Sequence, residues 1–281
     1  MESGCRQPAA GDGKRFRPSK GLGQSFLTHL PTAEWIVNSL DPGPDDTVLE
    51  IGPGPGILTG RLAGRVRQVI AVEKDARLTG KLERALASSP GVEVVCGDFF
   101  EFDLAGLGPL KVLGNLPYSV SSQILFRLLD SVAEWTVAVL TCQREFAVRV
   151  LSAPGTRDYA PVGILLDRVC ERERLFNIPA HRFRPRPDVV STCFRLRRRQ
   201  RPRYEPEDEE LFRRVLRAAF SQRRKKLSNN LAAGFGLDKP GAVALLIEAG
   251  IEPGARAEQV EGERFRDLAD RLAQRVASSS E

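Results

Sequence analysis

Hydrophobic positions recur along the chain in two alternating rhythms. Short, β-branched-rich apolar runs occur at Thr47-Val-Leu-Glu-Ile51, Gln68-Val-Ile-Ala-Val72, Val92-Glu-Val-Val-Cys96, Lys111-Val-Leu113 and Thr136-Val-Ala-Val-Leu140. Their length and composition predict strands. Helical spacing between them predicts helices near 57–65, 76–88, 121–131 and 143–152, after a first one over 33–40 that Asp41-Pro-Gly-Pro44 ends. Strands alternating with helices predict a parallel sheet wound on both faces. Past Arg203 the rhythm is helical only, over 208–220, 223–233, 240–248 and 262–276. The expected fold is α/β: a Rossmann-like, doubly wound, mostly parallel sheet followed by a small C-terminal all-helical domain. Residues 1–19, rich in Gly, Pro and Arg without periodicity, are expected to form a mobile basic arm. The sheet domain is expected over 20–200 and the helical domain over 201–281.

A length of 281 residues suits one large domain and a smaller one. Hydrophobic residues at 42% and charged residues at 28% are ordinary globular values and exclude disordered and fibrous classes. No apolar run is long enough to cross a membrane, and the start lacks a basic-then-apolar leader, so a soluble, cytoplasmic protein is expected. The five cysteines form no C-x-x-C pair, and neither histidine has ligand-type neighbours at zinc spacing, so no metal is expected. Charge changes the picture more. The whole chain carries +6, yet residues 182–226 hold 16 Arg or Lys against 6 Asp or Glu, an excess of ten on a body that is otherwise slightly acidic. Such a basic segment points to a polyanion partner.

Glu50-Ile-Gly-Pro-Gly-Pro-Gly56 stands where the first long strand turns toward a helix, the place at which doubly wound sheets bind ligands. Its G-x-G-x-G spacing differs from the G-x-G-x-x-G of dinucleotide binders and argues against NAD. Glu73 ends the second of these strands, 17 positions after Gly56, where a carboxylate can accept both hydroxyls of a ribose. Asp98-Phe99 follows the third, offering an acceptor for an adenine amino group beside an aromatic cover. Three such residues at successive strand ends describe a nucleoside-type site.

Asn115-Leu-Pro-Tyr118 follows the fourth strand and so projects into the same crevice. The N6 lone pair of adenine is delocalised and a poor nucleophile, so an enzyme that alkylates it must hold the amine with its lone pair aimed. The Asn115 side-chain oxygen and the Leu116 carbonyl are suited to accept the two N–H donors. Pro117 fixes the turn. Tyr118 offers a face for a base removed from its stack.

With these pieces in view, the sequence resembles the ribosomal RNA adenine N6-dimethyltransferase family, in its bacterial small-subunit branch. The resemblance covers roughly residues 20–275 and rests on Leu22-Gly-Gln-Ser-Phe-Leu27, Glu50-Ile-Gly-Pro-Gly54, Glu73-Lys-Asp75, Gly97-Asp98, Gly114-Asn-Leu-Pro-Tyr118, Phe183-Arg-Pro-Arg-Pro-Asp-Val189 with Ser191, and Phe220-Ser-Gln-Arg-Arg-Lys225. It implies a class I methyltransferase with S-adenosylmethionine as cofactor. Gln24, Ser25 and Leu27 would close over the methionine part, Gly52 would lie against it, Glu73 would take the ribose and Asp98 the adenine. Asn115, which also reaches the cofactor's methionine end, and Tyr118 would act on the target base, with Phe183 stacking on its other face. Ser25 and Gln123 depart from the Asn and Pro usual in the family. The resemblance further implies action on two adjacent adenines near the 3′ end of small-subunit (16S) RNA, within an immature 30S-type subunit; a monomer is expected.

Arg223, Arg224, Lys225 and Lys226 stand at the start of a predicted helix, where four consecutive cations spread around the axis and cannot all be paired internally. A basic helical appendage of this kind reads folded RNA by shape and phosphate. Three alternatives stay open: a resistance-type methyltransferase of large-subunit RNA, which shares the glycine loop and the Asn-x-Pro-Tyr element, a non-catalytic assembly factor, and a DNA adenine methyltransferase, which the RNA-type tail disfavours. Leu116 and the 220–225 element favour the small-subunit branch over the first; Glu73, Asp98, Asn115 and Tyr118, all intact, favour catalysis over the second.

Overall fold

The computed structural model describes residues 25–278, with side chains to Arg275. The expected arm over 1–19 and the candidate Gln24 lie outside the described residues. The chain divides into two compact units, one of residues up to Ala147 with Arg172–Arg198, the other of Val148–Glu171 with Arg199 onward.

The first unit is built on a seven-stranded sheet. In chain order its strands are β2 (Thr47–Ile51), β3 (Gln68–Glu73), β4 (Val92–Cys96), β5 (Leu110–Asn115), β6 (Trp135–Gln143), β7 (Cys170–Ile178) and β9 (Ser191–Arg198), arranged β4-β3-β2-β5-β6-β9-β7. The pairs from β4 through to β6 are parallel, and β9 runs antiparallel to β6. Every residue of β2 is buried, as an interior parallel strand covered on both faces requires. Helices α1 (Leu30–Ser39), α2 (Thr59–Leu62), α3 (Ala76–Ala85) and α4 (Ser121–Asp130) alternate with the parallel strands. On one face Ile36, Val37 and Leu62 pack against Val48, Val69 and Leu113. Each such fully buried aliphatic side chain stabilises the fold by roughly 1.5–3 kcal/mol. A separate two-residue ladder joins β1 (Phe26–Leu27) to β8 (Phe183–Arg184).

The strand order reverses beside β2, whose neighbours are β3 and β5. Ile51 lies opposite both Val72 and Gly114, and Glu73 opposite Cys96. The loop after β2, Glu73, Asp98 and Asn115 therefore leave the sheet side by side at one edge.

Two expectations are corrected in this unit. The helix expected over 57–65 is a single turn, because Gly64 adopts φ 77° just beyond it. Strands β7 and β9 are not among the expected ones. Their arginines and glutamates fall mostly at solvent-facing positions, at and next to an edge of the sheet, which masks the apolar half of the pattern.

The second unit packs α6 (Pro161–Val169), α7 (Glu209–Ala219), α8 (Leu227–Phe235), α9 (Lys239–Glu248) and α10 (Gly262–Ser278), while α5 (Arg144–Leu151) spans the division between the units. Asp208 and Asp238 cap α7 and α9 through the Leu211 and Gly241 N–H groups. Phe212, Val215, Leu216 and Ala219 form the buried face of α7. Phe220 lies 5.7 Å from Phe265 and 6.1 Å from Tyr159, ring to ring.

Helix α8 starts at Leu227 rather than 223, so the four basic residues form an exposed turn instead of a first helical turn. Asn230, 2% exposed, explains why: its Nδ2 donates to the carbonyls of Ala219 (2.6 Å) and Gln222 (3.2 Å), fastening the turn from below. Arg223 is itself committed, donating from Nη2 to the carbonyls of Tyr159 (3.1 Å) and Arg157. Among the four, it is a clasp within the unit.

Candidate active site

A cavity opens at the sheet edge where the strand order reverses, walled by the loop after β2, the ends of β3 and β5, the segment after β4, and β1. Ser25, Leu27, Gly52, Glu73, Asp98, Asn115, Leu116, Pro117 and Tyr118 all reach it. These residues, drawn from positions 25 to 118, stand out separately in the sequence, and the fold brings them together.

The glycine loop divides its labour. Gly52 has φ 65°, and a side chain there would meet nothing within 4 Å, so its own Cβ-less face is open to the cavity. At Gly54 a Cβ would strike the Phe26 ring at 2.8 Å, and at Gly56 the Leu82 methyl at 2.3 Å. The last two glycines serve packing, and the first leaves room for a ligand.

Glu73 is 7% exposed, and its carboxylate accepts from the N–H of Gly54 (3.0 Å) and of Asp75 (2.9 Å). Burial raises its pKa against those two hydrogen bonds. The same side chain thus shapes the loop and faces the cavity. Glu73→Ala is expected to weaken S-adenosylmethionine binding at least about tenfold and to lower thermal stability too, since each charge-assisted hydrogen bond contributes about 1.5–3 kcal/mol. Titration calorimetry with the cofactor and its demethylated product checks this; unchanged affinity for both would rule out the ribose assignment.

Asp98 is ion-paired with Lys74 at 2.6 Å, and its other oxygen accepts from the Phe100 N–H at 3.1 Å. Burial pushes this carboxyl up, but the Lys74 hydrogen bond and charge and the Phe100 N–H outweigh it and hold it below the usual range. The site therefore offers a fixed, ionised acceptor. Phe99, buried, and Phe100, partly exposed, also line the cavity.

Asn115 is the most informative side chain. Its Nδ2 donates to the Ser25 carbonyl at 3.1 Å, whereas Oδ1 is buried without a hydrogen-bond partner among the described residues. The reverse orientation would set two oxygens against each other, so the amide presents an acceptor to the cavity. An orphaned buried acceptor is costly unless a ligand satisfies it. Ser25 is secured in turn, its Oγ donating to the Pro185 carbonyl at 2.8 Å. Leu116 donates its N–H to the Thr141 carbonyl at 2.9 Å, and the Pro117 carbonyl accepts from Ser121 Oγ at 2.9 Å. The Tyr118 hydroxyl is 2.7 Å from Ser191 Oγ on β9, which fixes the ring, and burial raises the phenol's pKa.

Phe183 does not join this group. It is 0% exposed, packed with Leu27, Ala33, Ile36 and Val37, and does not line the cavity. Its pairing opposite Leu27 in the small ladder turns the ring into the core, so the expected second stacking face is absent from that position. Sequence reasoning also passed over Lys74, Phe26 and Ser191 as functional residues, and Glu50, which lies at the cavity with 1% exposure. Lys74 and Glu50 belong to the strand-end motifs themselves; a charge beside other site residues at the end of an apolar strand was the available signal.

A family model described as ribosomal RNA adenine dimethylase matches residues 15–274. The chain is similar to "Ribosomal RNA small subunit methyltransferase A" of Moorella thermoacetica, 38% identical over 271 residues, covering 92% of this chain and 94% of that protein. The protein of the same name from Geobacter metallireducens is 38% identical over 263 residues, covering 91% and 96%. Among solved structures, a dimethyladenosine transferase from Plasmodium falciparum superposes with a TM-score of 0.76 at 22% identity, covering 90% of this chain and 98% of that one, a likeness of fold. The 23S rRNA methyltransferase ErmE superposes with a TM-score of 0.68 at 30% identity, covering 89% and 100%.

Proposed function

Since the chain belongs to the ribosomal RNA adenine dimethylase family and is therefore an S-adenosylmethionine-dependent methyltransferase of ribosomal RNA adenine, we propose that it dimethylates N6 of two adjacent adenines near the 3′ end of small-subunit RNA. Its substrate in this reading is an immature 30S-type subunit in the cytoplasm, and it works as a monomer. The small-subunit relatives resemble the chain more closely than the 23S rRNA enzyme does, which supports this branch. Among the described residues no helix is long and apolar enough to cross a membrane.

The observation that carries the reading is the orphaned Asn115 Oδ1 at the cavity. The cofactor, when bound, supplies a methyl group on a positively charged sulfur. Glu73 and Asp98 would hold its nucleoside end by ribose hydroxyls and adenine amine, and Gly52 would leave the space for its methionine end. Asn115 Oδ1 accepts one N–H of the target amine and so aims the nitrogen lone pair, the amide being held by Ser25. Tyr118, locked by Ser191, gives the extruded base a surface to stack on, worth roughly 1–3 kcal/mol. Transfer is direct, and Leu27, Phe26 and Phe99 exclude water from it. Incubating immature small subunits and large subunits with labelled cofactor tests the reading. Dimethyladenosine on the small-subunit RNA alone is expected; labelling of the large subunit alone would replace this reading with the resistance-type one.

The turn at 223–226 is the proposed RNA contact, exposed on the second unit; Arg223, whose Nη2 also holds the Tyr159 carbonyl, is left out of the test because its removal would loosen the unit itself. Arg224→Ala/Lys225→Ala/Lys226→Ala is expected to weaken binding to immature subunits and to flatten the slope of log affinity against log salt by about 2, at ~0.7–0.9 per phosphate contact. Wild-type binding across a salt series would discard this surface.

A further inference from the structure

Glu50 is the last but one residue of the fully buried strand β2, opposite Ala71 on β3 and Leu113 on β5. It is 1% exposed, and its Oε2 is buried at the cavity with no hydrogen-bond partner among the described residues. Thr59 on α2 faces it, its hydroxyl and backbone N–H favouring the ionised form, and so does a second carboxylate, Glu73 on β3, which disfavours it. The other charges of the site are spoken for: Lys74 is paired with Asp98, and Asp75 with Arg77. A carboxyl buried without a counter-charge, next to another carboxyl, destabilises the empty protein, and an apolar side chain would fit the strand better. A charged ligand resolves this. The cofactor carries one more positive charge than its demethylated product, and that charge lies on the very sulfur that loses the methyl group.

We propose that Glu50 is the residue by which the site tells cofactor from product: held ionised against the cationic cofactor, and free to take up a proton from solvent when the cavity is empty or holds the neutral-sulfur product. The inference rests on the methyltransferase reading of the site. The exchange balances simply, since binding the cation expels one proton from the Glu50 carboxyl to solvent, and after methyl transfer the carboxyl takes one back from solvent. Burial, reinforced by the Glu73 charge and opposed by Thr59, pushes the Glu50 carboxyl up to about 7, so the exchange falls in the neutral range. One proton of difference makes the ratio of cofactor to product affinity change by up to about tenfold per pH unit.

The test is calorimetric titration of the whole protein with S-adenosylmethionine and with S-adenosylhomocysteine, at pH 6, 7 and 8, in two buffers of different ionisation enthalpy. At pH 7 the wild type is expected to release roughly half a proton on binding the cofactor and clearly less on binding the product. Cofactor affinity should rise several-fold from pH 6 to 8 while product affinity stays nearly flat. Glu50→Gln should lose this pH dependence and bind the cofactor about tenfold more weakly at pH 8, with product affinity unchanged. Both proteins see the same ligand amino groups, so those cancel in the comparison. Glu50→Asp, which keeps the carboxyl, should retain the proton release. Equal proton release for the two ligands by the wild type overturns the proposal without any variant, and so does a Glu50→Gln protein with wild-type pH dependence. In both cases methylation of RNA would still stand. If neither ligand binds the wild type, the reading of the site fails and the inference falls with it.

Discussion

Asn115→Ala is expected to slow single-turnover methylation of adenine by about 10²-fold or more, the scale of deleting one preorganised polar group. Asn115 offers its one free acceptor, Oδ1, into the cavity, and its Nδ2 is spent on Ser25. The interaction is made where the nucleophile must be aimed, so the loss falls on the chemical step. Affinity for immature subunits should stay near wild type if, as proposed, it rests on phosphate contacts at residues 224–226. Rates taken at saturating cofactor separate this from any weakening of the methionine end. A near wild-type rate would refute the mechanism. Normal RNA binding by a wild-type protein that never methylates would instead favour the assembly-factor reading.

The second large effect concerns the unliganded protein. Glu50 titrates at about 7 in the folded state, against 4.5 for an ordinary glutamate carboxyl. The sign follows from the raised value. Below 4.5 the carboxyl is neutral in both states and costs nothing; between 4.5 and 7 the unfolded chain ionises while the native one does not, so stability falls as pH rises; above 7 the loss levels off. At ~1.36 kcal/mol for each pH unit of that window, the full loss is about 3 kcal/mol. Glu50→Gln should remove it, so its stability relative to wild type should improve by roughly 2–3 kcal/mol between pH 5 and pH 8, read from urea unfolding without cofactor. Parallel curves for the two proteins would show that Glu50 is ionised in the empty site.

Much of the first unit was legible because a parallel strand buried on both faces is mostly apolar, as the Val48-Leu49 and Val69-Ile70-Ala71-Val72 runs of β2 and β3 are. The site residues at the strand ends were legible for a related reason: charged residues that close apolar strands stand out. What escaped did so on physical grounds. In β7 and β9 the partly solvated face carries arginines and glutamates, and half an apolar pattern passes unnoticed. The start of α8 escaped because a basic run has helical propensity, whereas the buried amide of Asn230, inside the helix that follows, holds that run in a turn. Phe183 was placed by resemblance, but its local ladder with Leu27 decides where the ring goes. Ser191 supports Tyr118 from 73 positions away, a pairing that no local pattern carries.

The ladder between β1 and β8 sets a condition on when the protein becomes competent. Ser25 and Pro185 are 160 positions apart, and Thr28 and Arg182 are 154 apart, yet these contacts fix the carbonyl that orients Asn115. During synthesis the strands from β2 to β6 are complete once residue 143 has emerged. The nascent chain then owns a sheet and a glycine loop, but no partner yet holds Ser25 in place, and the amide of Asn115 is free to turn either way. Orientation arrives only when residues 182–185 emerge and capture residues 25–28. Contacts so distant in sequence are slow to close, so the amide of Asn115 is set by a meeting of an earlier-made segment with a much later one.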